Sequence, residues 1–72
     1  FDLHQVSKVD LIIYDILGRA VRRLVRENQQ PGFKTIKWNG KDNTGRNVSA
    51  GVYFCRLQAG KFQETIKIAV VK

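Results

Sequence analysis

The sequence has 72 residues, 43% of them apolar, and a formal net charge of +7. A chain of this length forms one small domain that buries about 60% of its unfolded surface, and its apolar content is sufficient for a packed core. These values exclude a disordered chain, and no apolar run approaches the roughly 20 residues of a transmembrane helix. The positive charge favours anionic partners in general without identifying one.

Alternating apolar and polar residues predict strands at the start of the chain. Residues 1–5 alternate, residues 6–8 are predicted to form a short turn, and residues 9–15 are the clearest strand. In that strand Val9, Leu11 and Ile13 are expected on one face, with Ile12 and Tyr14 on the other. Gly18 ends the run.

Residues 19–28 fit two patterns. Four arginines fall on one face of a helix, and four apolar residues would form the opposite face: Arg19, Arg22, Arg23 and Arg26, against Ala20, Val21, Leu24 and Val25. A basic amphipathic helix would indicate a membrane surface or an acidic partner. Because the segment has only about ten residues and lies between two strand patterns, we favour a short irregular strand with its arginines in solvent.

The second half of the chain contains three further strand patterns. We predict a turn at residues 29–32, a strand at 33–38, a strand at 52–57, a hairpin turn at 58–61 and a last strand at 62–71. The expected inward residues are Ile36 and Trp38, then Tyr53, Cys55 and Leu57, then Ile66, Ile68 and Val70. Cys55 is expected to be a small core residue.

A loop rich in glycine, asparagine and aspartate lies between Trp38 and Tyr53, which are expected to hold it on the core. Gly40 and Gly45 supply the positive φ of tight turns, and Asp42 is predicted to cap a turn by accepting backbone N–H bonds. Short strands separated by turns predict an all-β fold. We expect a small immunoglobulin-like β-sandwich of about six to seven short antiparallel strands.

Nothing in the sequence indicates an enzyme. The six carboxylates are scattered along the sequence. The only histidine, His4, and the single cysteine show no motif that would mark them as a catalytic pair. Residues 42–45 are similar to a calcium loop but lack the carboxylates that calcium requires, and no phosphate-binding loop occurs. We therefore predict no catalytic residue, no metal and no cofactor.

Nucleic-acid binding is a further alternative, because Trp38, Tyr53 and Phe54 could stack on bases. Their alternation has strand spacing, which favours core positions. We expect no specific nucleic-acid partner.

Three stretches together resemble a known superfamily: residues 13–21 (I-Y-D-I-L-G-R-A-V), residues 38–48 (W-N-G-K-D-N-T-G-R-N-V), and residues 49–60 with the closing residues 67–72. In this order they resemble the C-terminal sorting domain of the type IX secretion system. They equally resemble the FlgD-like Ig domain of flagellar hook-capping proteins. The resemblance implies an Ig-like fold over nearly the whole chain.

The sorting-domain resemblance also implies function. It assigns translocon recognition to Gly51, Tyr53, Gly60, Lys67 and Lys72, although these residues also suit turns, core and solvated edge charges. Residues 1–72 would be one Ig-like C-terminal domain from a longer secreted protein, carried through the periplasm to the cell surface or medium. The implied partners are the outer-membrane translocon, a sortase-like peptidase and anionic lipopolysaccharide. The alternative is a structural Ig-like module, either a hook-cap domain or an accessory domain beside a catalytic one.

Overall fold

The computed structural model of the chain describes residues 2–3, 7–29, 32–33 and 37–72. Its six strands are β1 (Asp2–Leu3), β2 (Ser7–Asp15), β3 (Ala20–Gln29), β4 (Gly32–Phe33), β5 (Gly51–Ala59) and β6 (Phe62–Val70). Four of them form an antiparallel sheet in the order β3-β2-β5-β6, and β1 pairs separately with β4. All regular structure in the described residues is therefore strand.

The all-β prediction is confirmed. A sandwich of six to seven strands is not confirmed, because only four of the six described strands share a sheet. The described residues contain one four-stranded sheet and a second pairing only two residues long. Residues 1, 4–6, 30–31 and 34–36 lie outside the described part, including portions of the predicted first strand, the turn at 29–32 and the strand at 33–38.

Predicted boundaries differ from the structure at four places. The turns expected at residues 29–32 and 58–61 are shorter than predicted, because Gln29 and Gly32 are paired in strands and β5 continues through Ala59.

The other two differences concern residues 6–8 and the strand expected at residues 33–38. The turn expected at residues 6–8 is strand at Ser7 and Lys8, which pair with Gln29 and Asn28 of β3. Trp38 does not end a strand, since residues 37–39 have no regular structure. The strand at Ser7 and Lys8 is explained by the length of the β2–β3 pairing, because β3 supplies hydrogen-bond partners for backbone groups that a turn would leave free.

One face of the four-stranded sheet carries the core and is called the core face. Val9, Leu11 and Ile13 are buried there, as predicted. The core has two clusters, one of Val9, Leu11, Val25, Leu57 and Ala59, and one of Ile13, Val48 and Tyr53.

Four residues of β5 and β6 that were predicted for the core are not fully buried. Cys55 is only half-buried, where it packs against both clusters, and burial raises the pKa of its thiol. Ile66 lies opposite Cys55 but is 49% exposed. It belongs to β6, an edge strand of the sheet, where a side chain has neighbours on one side only. Ile68 and Val70 on the same strand are half-buried against the second cluster.

The segment that fits both helix and strand is a strand with two irregularities. Leu11 pairs with Val25 but Ile12 pairs with Arg23, so Leu24 is an extra residue, and Val21 is a second one between Arg22 and Ala20. Each bulge inserts one residue and shifts the inward–outward alternation of β3. Val21, Leu24 and Val25 can therefore all pack on the core face, although their spacing is that of a helix.

Candidate functional site

Two turns with the same sequence pattern, Asp-x-x-Gly-Arg, define one end of the sheet. The first turn is residues 15–19 (D-I-L-G-R) and the second is residues 42–46 (D-N-T-G-R). In each, the glycine N–H donates to the aspartate carbonyl, at 3.0 and 3.1 Å, and the aspartate N–H donates to the arginine carbonyl, at 3.0 and 2.9 Å. The two glycines have φ values of +81° and +85°. The chain thus uses one five-residue turn twice.

The aspartate side chain closes each turn in the same way. Asp15 Oδ1 accepts from the N–H groups of Leu17 (2.9 Å) and Arg19 (3.0 Å). Asp42 Oδ1 accepts from those of Thr44 (2.9 Å) and Arg46 (3.0 Å). Each aspartate therefore bonds the N–H groups two and four residues later, which is the capping predicted for Asp42.

Hydrogen bonds to the ionised form lower the pKa of both carboxyl groups. For Asp15 the largest cause is the backbone N–H of Arg19, and the Arg19 guanidinium adds an ion pair of 2.8 Å. For Asp42 the largest cause is the Thr44 hydroxyl, which donates to Oδ1 at 2.7 Å. Both groups are consequently anionic near neutral pH.

The second turn belongs to a loop, residues 37–50, that docks on β3. The N–H of Asn43 donates to the Val21 carbonyl (3.0 Å), and its Oδ1 accepts from the Arg23 N–H (3.0 Å). Arg22 donates to the Asp42 carbonyl (3.1 Å). β3 is an edge strand, and its bulges free backbone groups from the ladder with β2. Asn43 satisfies two of them, so the loop closes this part of the edge.

Two aromatic side chains hold the other end of the loop. Trp38 Nε1 donates to the Lys41 carbonyl at 2.9 Å, and the Tyr53 hydroxyl donates to the Ser49 carbonyl at 2.7 Å. The two rings meet edge to face, with centroids 5.5 Å apart and planes at 67°. Val48 is buried in the same cluster. Trp38 and Tyr53 thus fix the loop by both packing and hydrogen bonds.

A shallow depression of about 400 Å³ lies between the two turns. Asp15, Arg19, Asp42, Asn43 and Tyr53 contribute to its wall. Its carboxylates already accept the bonds described above, which suits structural capping. Elsewhere in the described part of the chain, too, no three His, Cys, Asp or Glu residues lie close enough together to hold a metal ion. Ile16 and Leu17, at the tip of the first turn, are 70% and 72% exposed.

The residues assigned to recognition do not form one cluster. Gly51 begins β5 opposite Val70, and Tyr53 is buried opposite Ile68. Gly60 lies in the β5–β6 turn, at the far end of the nine residues of β5 and roughly 30 Å from Gly51 at ~3.3 Å per residue. Lys67 and Lys72 are exposed, Lys67 opposite Phe54 and Lys72 beyond the end of β6.

Sequence reasoning missed two features of this site. The first turn was treated only as a break at Gly18, although its five residues repeat the pattern of the second. A search for the repeat would have assigned Asp15 the same capping role as Asp42. The docking role of Asn43 was not predicted, and no short-range signal identifies it, because its partners Val21 and Arg23 lie 22 and 20 residues earlier in the chain.

No helix among the described residues is long and apolar enough to cross a bilayer.

The comparisons with known proteins concern the fold. No curated protein matches the sequence significantly, and no solved structure does so either. The sequence model of the FlgD Ig-like domain matches residues 3–62, a range that includes both turns, the docked loop and β5. The chain belongs to the FlgD Ig-like domain family.

Proposed function

We propose that this Ig-like domain is a non-catalytic sorting module that directs a preceding cargo protein through the type IX secretion system to the cell surface. Its partners in this proposal are the outer-membrane translocon and a sortase-like peptidase, and its route crosses the periplasm. The proposal combines the sequence resemblance of residues 49–60 and 67–72 with the position of β6 in the sheet.

The observation that carries the proposal is the exposed edge strand β6. Among the described residues β6 pairs only with β5, and seven of its nine residues are exposed. Such a strand can receive a strand from a partner, with backbone bonds giving affinity and side chains giving selectivity.

The register indicates which residues of β6 offer free backbone groups. Ala59 and Phe62 flank the two-residue connection Gly60–Lys61, so they form a hydrogen-bonded pair. Antiparallel pairing alternates along the strand. The backbone N–H and C=O groups of Gln63, Thr65, Lys67 and Ala69 therefore point away from β5. Lys67, assigned to recognition from the sequence, is among these residues.

A structural Ig-like module is the second candidate, favoured by the family match itself. As a hook-cap or accessory domain, the chain would hold neighbouring domains and would need no exported cargo. The two candidates differ in what happens to a reporter protein fused ahead of Phe1.

The test is a secretion assay with a signal peptide and a fluorescent reporter placed before residues 1–72. It compares a bacterium that has a working type IX system with a translocon-deficient strain. Thr65→Pro removes one outward N–H while sparing the ladder with β5, and Thr65→Val, its matched control, keeps that N–H. Circular dichroism of the purified variants checks that both remain folded.

We expect reporter at the surface or in the medium only in the competent strain, with export retained by Thr65→Val and at least tenfold lower for folded Thr65→Pro. Reporter retained in the periplasm of both strains, with intact fusions and a compatible host, would overturn the sorting proposal in favour of the structural module. Equal export of the two folded variants would show that strand addition at β6 is not the mode of recognition.

A further inference from the structure

The sheet face opposite the core, called the outer face, is strongly basic. By strand register it presents five cations and one carboxylate on the described strands: Lys8, Arg23, Arg26, Arg56 and Lys67, with Asp10. All five cations are exposed. Ile12, Tyr14 and Phe54 lie among them and are half-buried. This face is thus an apolar and aromatic floor surrounded by positive charge.

A hollow of about 130 Å³ lies on the outer face across β3, β2 and β5. Arg23, Arg26 and Arg56 reach it from both sides, and Tyr14, Asp10 and Gln58 complete its wall. This volume is well above the minimum that a single water molecule needs. It can hold one carboxylate-sized or sulfate-sized group, and the rest of a longer ligand would lie along the open sheet.

The guanidinium groups around the hollow differ in their partners. Arg56 donates to the Gln63 amide oxygen when that amide is oriented with its oxygen toward the guanidinium. Among the described residues, the guanidinium groups of Arg23 and Arg26 form no side-chain hydrogen bond and no ion pair. Arg26 is nevertheless directly opposite Asp10 in the β2–β3 pairing. Two planar five-donor groups are therefore available for an anion.

We propose that the outer face binds an acidic polysaccharide. An acidic group of one sugar would lie between Arg23 and Arg26, and the sugar ring would lie against Tyr14. Asp10 and Gln58 would accept hydrogen bonds from sugar hydroxyls, a role that a pure anion site would not need. The proposal concerns a different surface from the β6 edge and does not depend on the sorting function.

Other anionic partners suit this surface less well. An acidic peptide can also bind an arginine cluster, but its carboxylates are acceptors only, whereas Asp10 favours a ligand that brings donors such as sugar hydroxyls. Single-stranded nucleic acid binds by stacking successive bases on several aromatic rings, whereas Tyr14 is the one aromatic residue among the described residues in the wall of the hollow. A membrane surface would favour exposed apolar side chains, but Ile16, Leu17 and Val71 lie in a turn or beyond β6.

The test measures binding of the full chain to three probes, namely oligogalacturonate, hyaluronan fragments and heparin fragments. Polyglutamate, oligothymidylate and neutral dextran serve as comparison ligands. Titrations at about 0.15 M salt screen charges farther apart than about 8 Å. The variants are the double substitution Arg23→Gln/Arg26→Gln and the substitution Tyr14→Leu. The matched control is Arg46→Gln/Lys61→Gln, which removes the same charge outside the outer face.

We expect at least one acidic glycan to bind more tightly than polyglutamate or oligothymidylate, and dextran not to bind. The Arg23/Arg26 variant should lose about five- to thirty-fold in affinity, Tyr14→Leu about two- to tenfold, and the control less than twofold. The proposal is overturned by absence of binding to all three glycans, by equal losses in the Arg23/Arg26 variant and the control, or by tighter binding of a comparison ligand.

Discussion

Asp15 and Asp42 each bond two N–H groups of their own turn, and their pKa values are lowered from the ordinary value of 3.8. A carboxyl group whose pKa is lower in the folded state stabilises the fold fully above its unfolded pKa. That contribution is lost as the pH falls through the folded pKa. Protonation of these two carboxylates at low pH therefore weakens the hydrogen bonds that close the two turns.

We predict that the free energy of unfolding falls as the pH drops below about 4, and that it falls less steeply in Asp15→Asn/Asp42→Asn. Urea unfolding at several pH values measures both slopes. The comparison variant is Asp10→Asn, which removes a carboxylate that caps neither turn. Identical slopes in the double variant and the wild type would contradict the capping role.

Gly45 is required for its backbone conformation rather than for space. At φ +85° a side chain is strained, yet an added Cβ would meet nothing within 4 Å. We predict that Gly45→Ala lowers the free energy of unfolding by about 1–2 kcal/mol. Gly45→Asn should cost less, because asparagine tolerates the left-handed region better. Thermal unfolding compares the two, and an equal loss would indicate that φ is not the cause.

Among the elements, β3 depends on the docked loop. Asn43→Ala removes the bond from the Arg23 N–H at an edge where the ladder is interrupted. We predict a loss of about 0.5–1.5 kcal/mol and faster hydrogen exchange at the Arg23 amide. Asn47→Ala, a second asparagine substitution in the same loop, should leave that amide unchanged. Unaltered exchange at Arg23 in Asn43→Ala would exclude the loop as a support of β3.

β3 also shows where sequence reasoning reaches its limit. The alternation of Val9, Leu11 and Ile13 predicted β2 correctly, because a regular strand with one buried face has period two. Val21, Leu24 and Val25 have helical spacing, and only the bulges reconcile them with a strand. The bulges are irregularities in the pairing of β3 with β2, and a local sequence window does not contain that pairing. The strand was favoured from the short length of the segment and from its neighbours, not from the pattern of its apolar residues.

The site was predictable to a similar degree. Turn chemistry predicted the capping role of Asp42, and the positions of two aromatic residues on either side of the loop predicted that Trp38 and Tyr53 hold it. The partial exposure of Cys55 and Ile66 could not be predicted, because alternation specifies a face but not how completely that face is covered.

For the whole molecule, small size makes each buried side chain important. A chain of 72 residues has a stability of about 4–11 kcal/mol, and Ile13 is fully buried in the second cluster. We predict that Ile13→Ala costs about 2–5 kcal/mol and leaves a partly unfolded population at 37 °C. Ile16→Ala, the same change at a 70% exposed position, should cost under about 0.5 kcal/mol. Similar melting temperatures for both variants would place the core elsewhere.

The two edges of the four-stranded sheet are unequal, and this limits how many copies of the chain can join. Asn43 occupies backbone groups at the bulged part of β3, whereas β6 is open along its length in the described structure. Continuous growth of a sheet from copy to copy requires two receptive edges on each molecule. With part of one edge obstructed, two chains can join β6 to β6, and that pair presents only the partly obstructed β3 edges of the described structure to a third. The docked loop therefore opposes the growth of a fibril through β3, while β6 remains able to pair with one added strand.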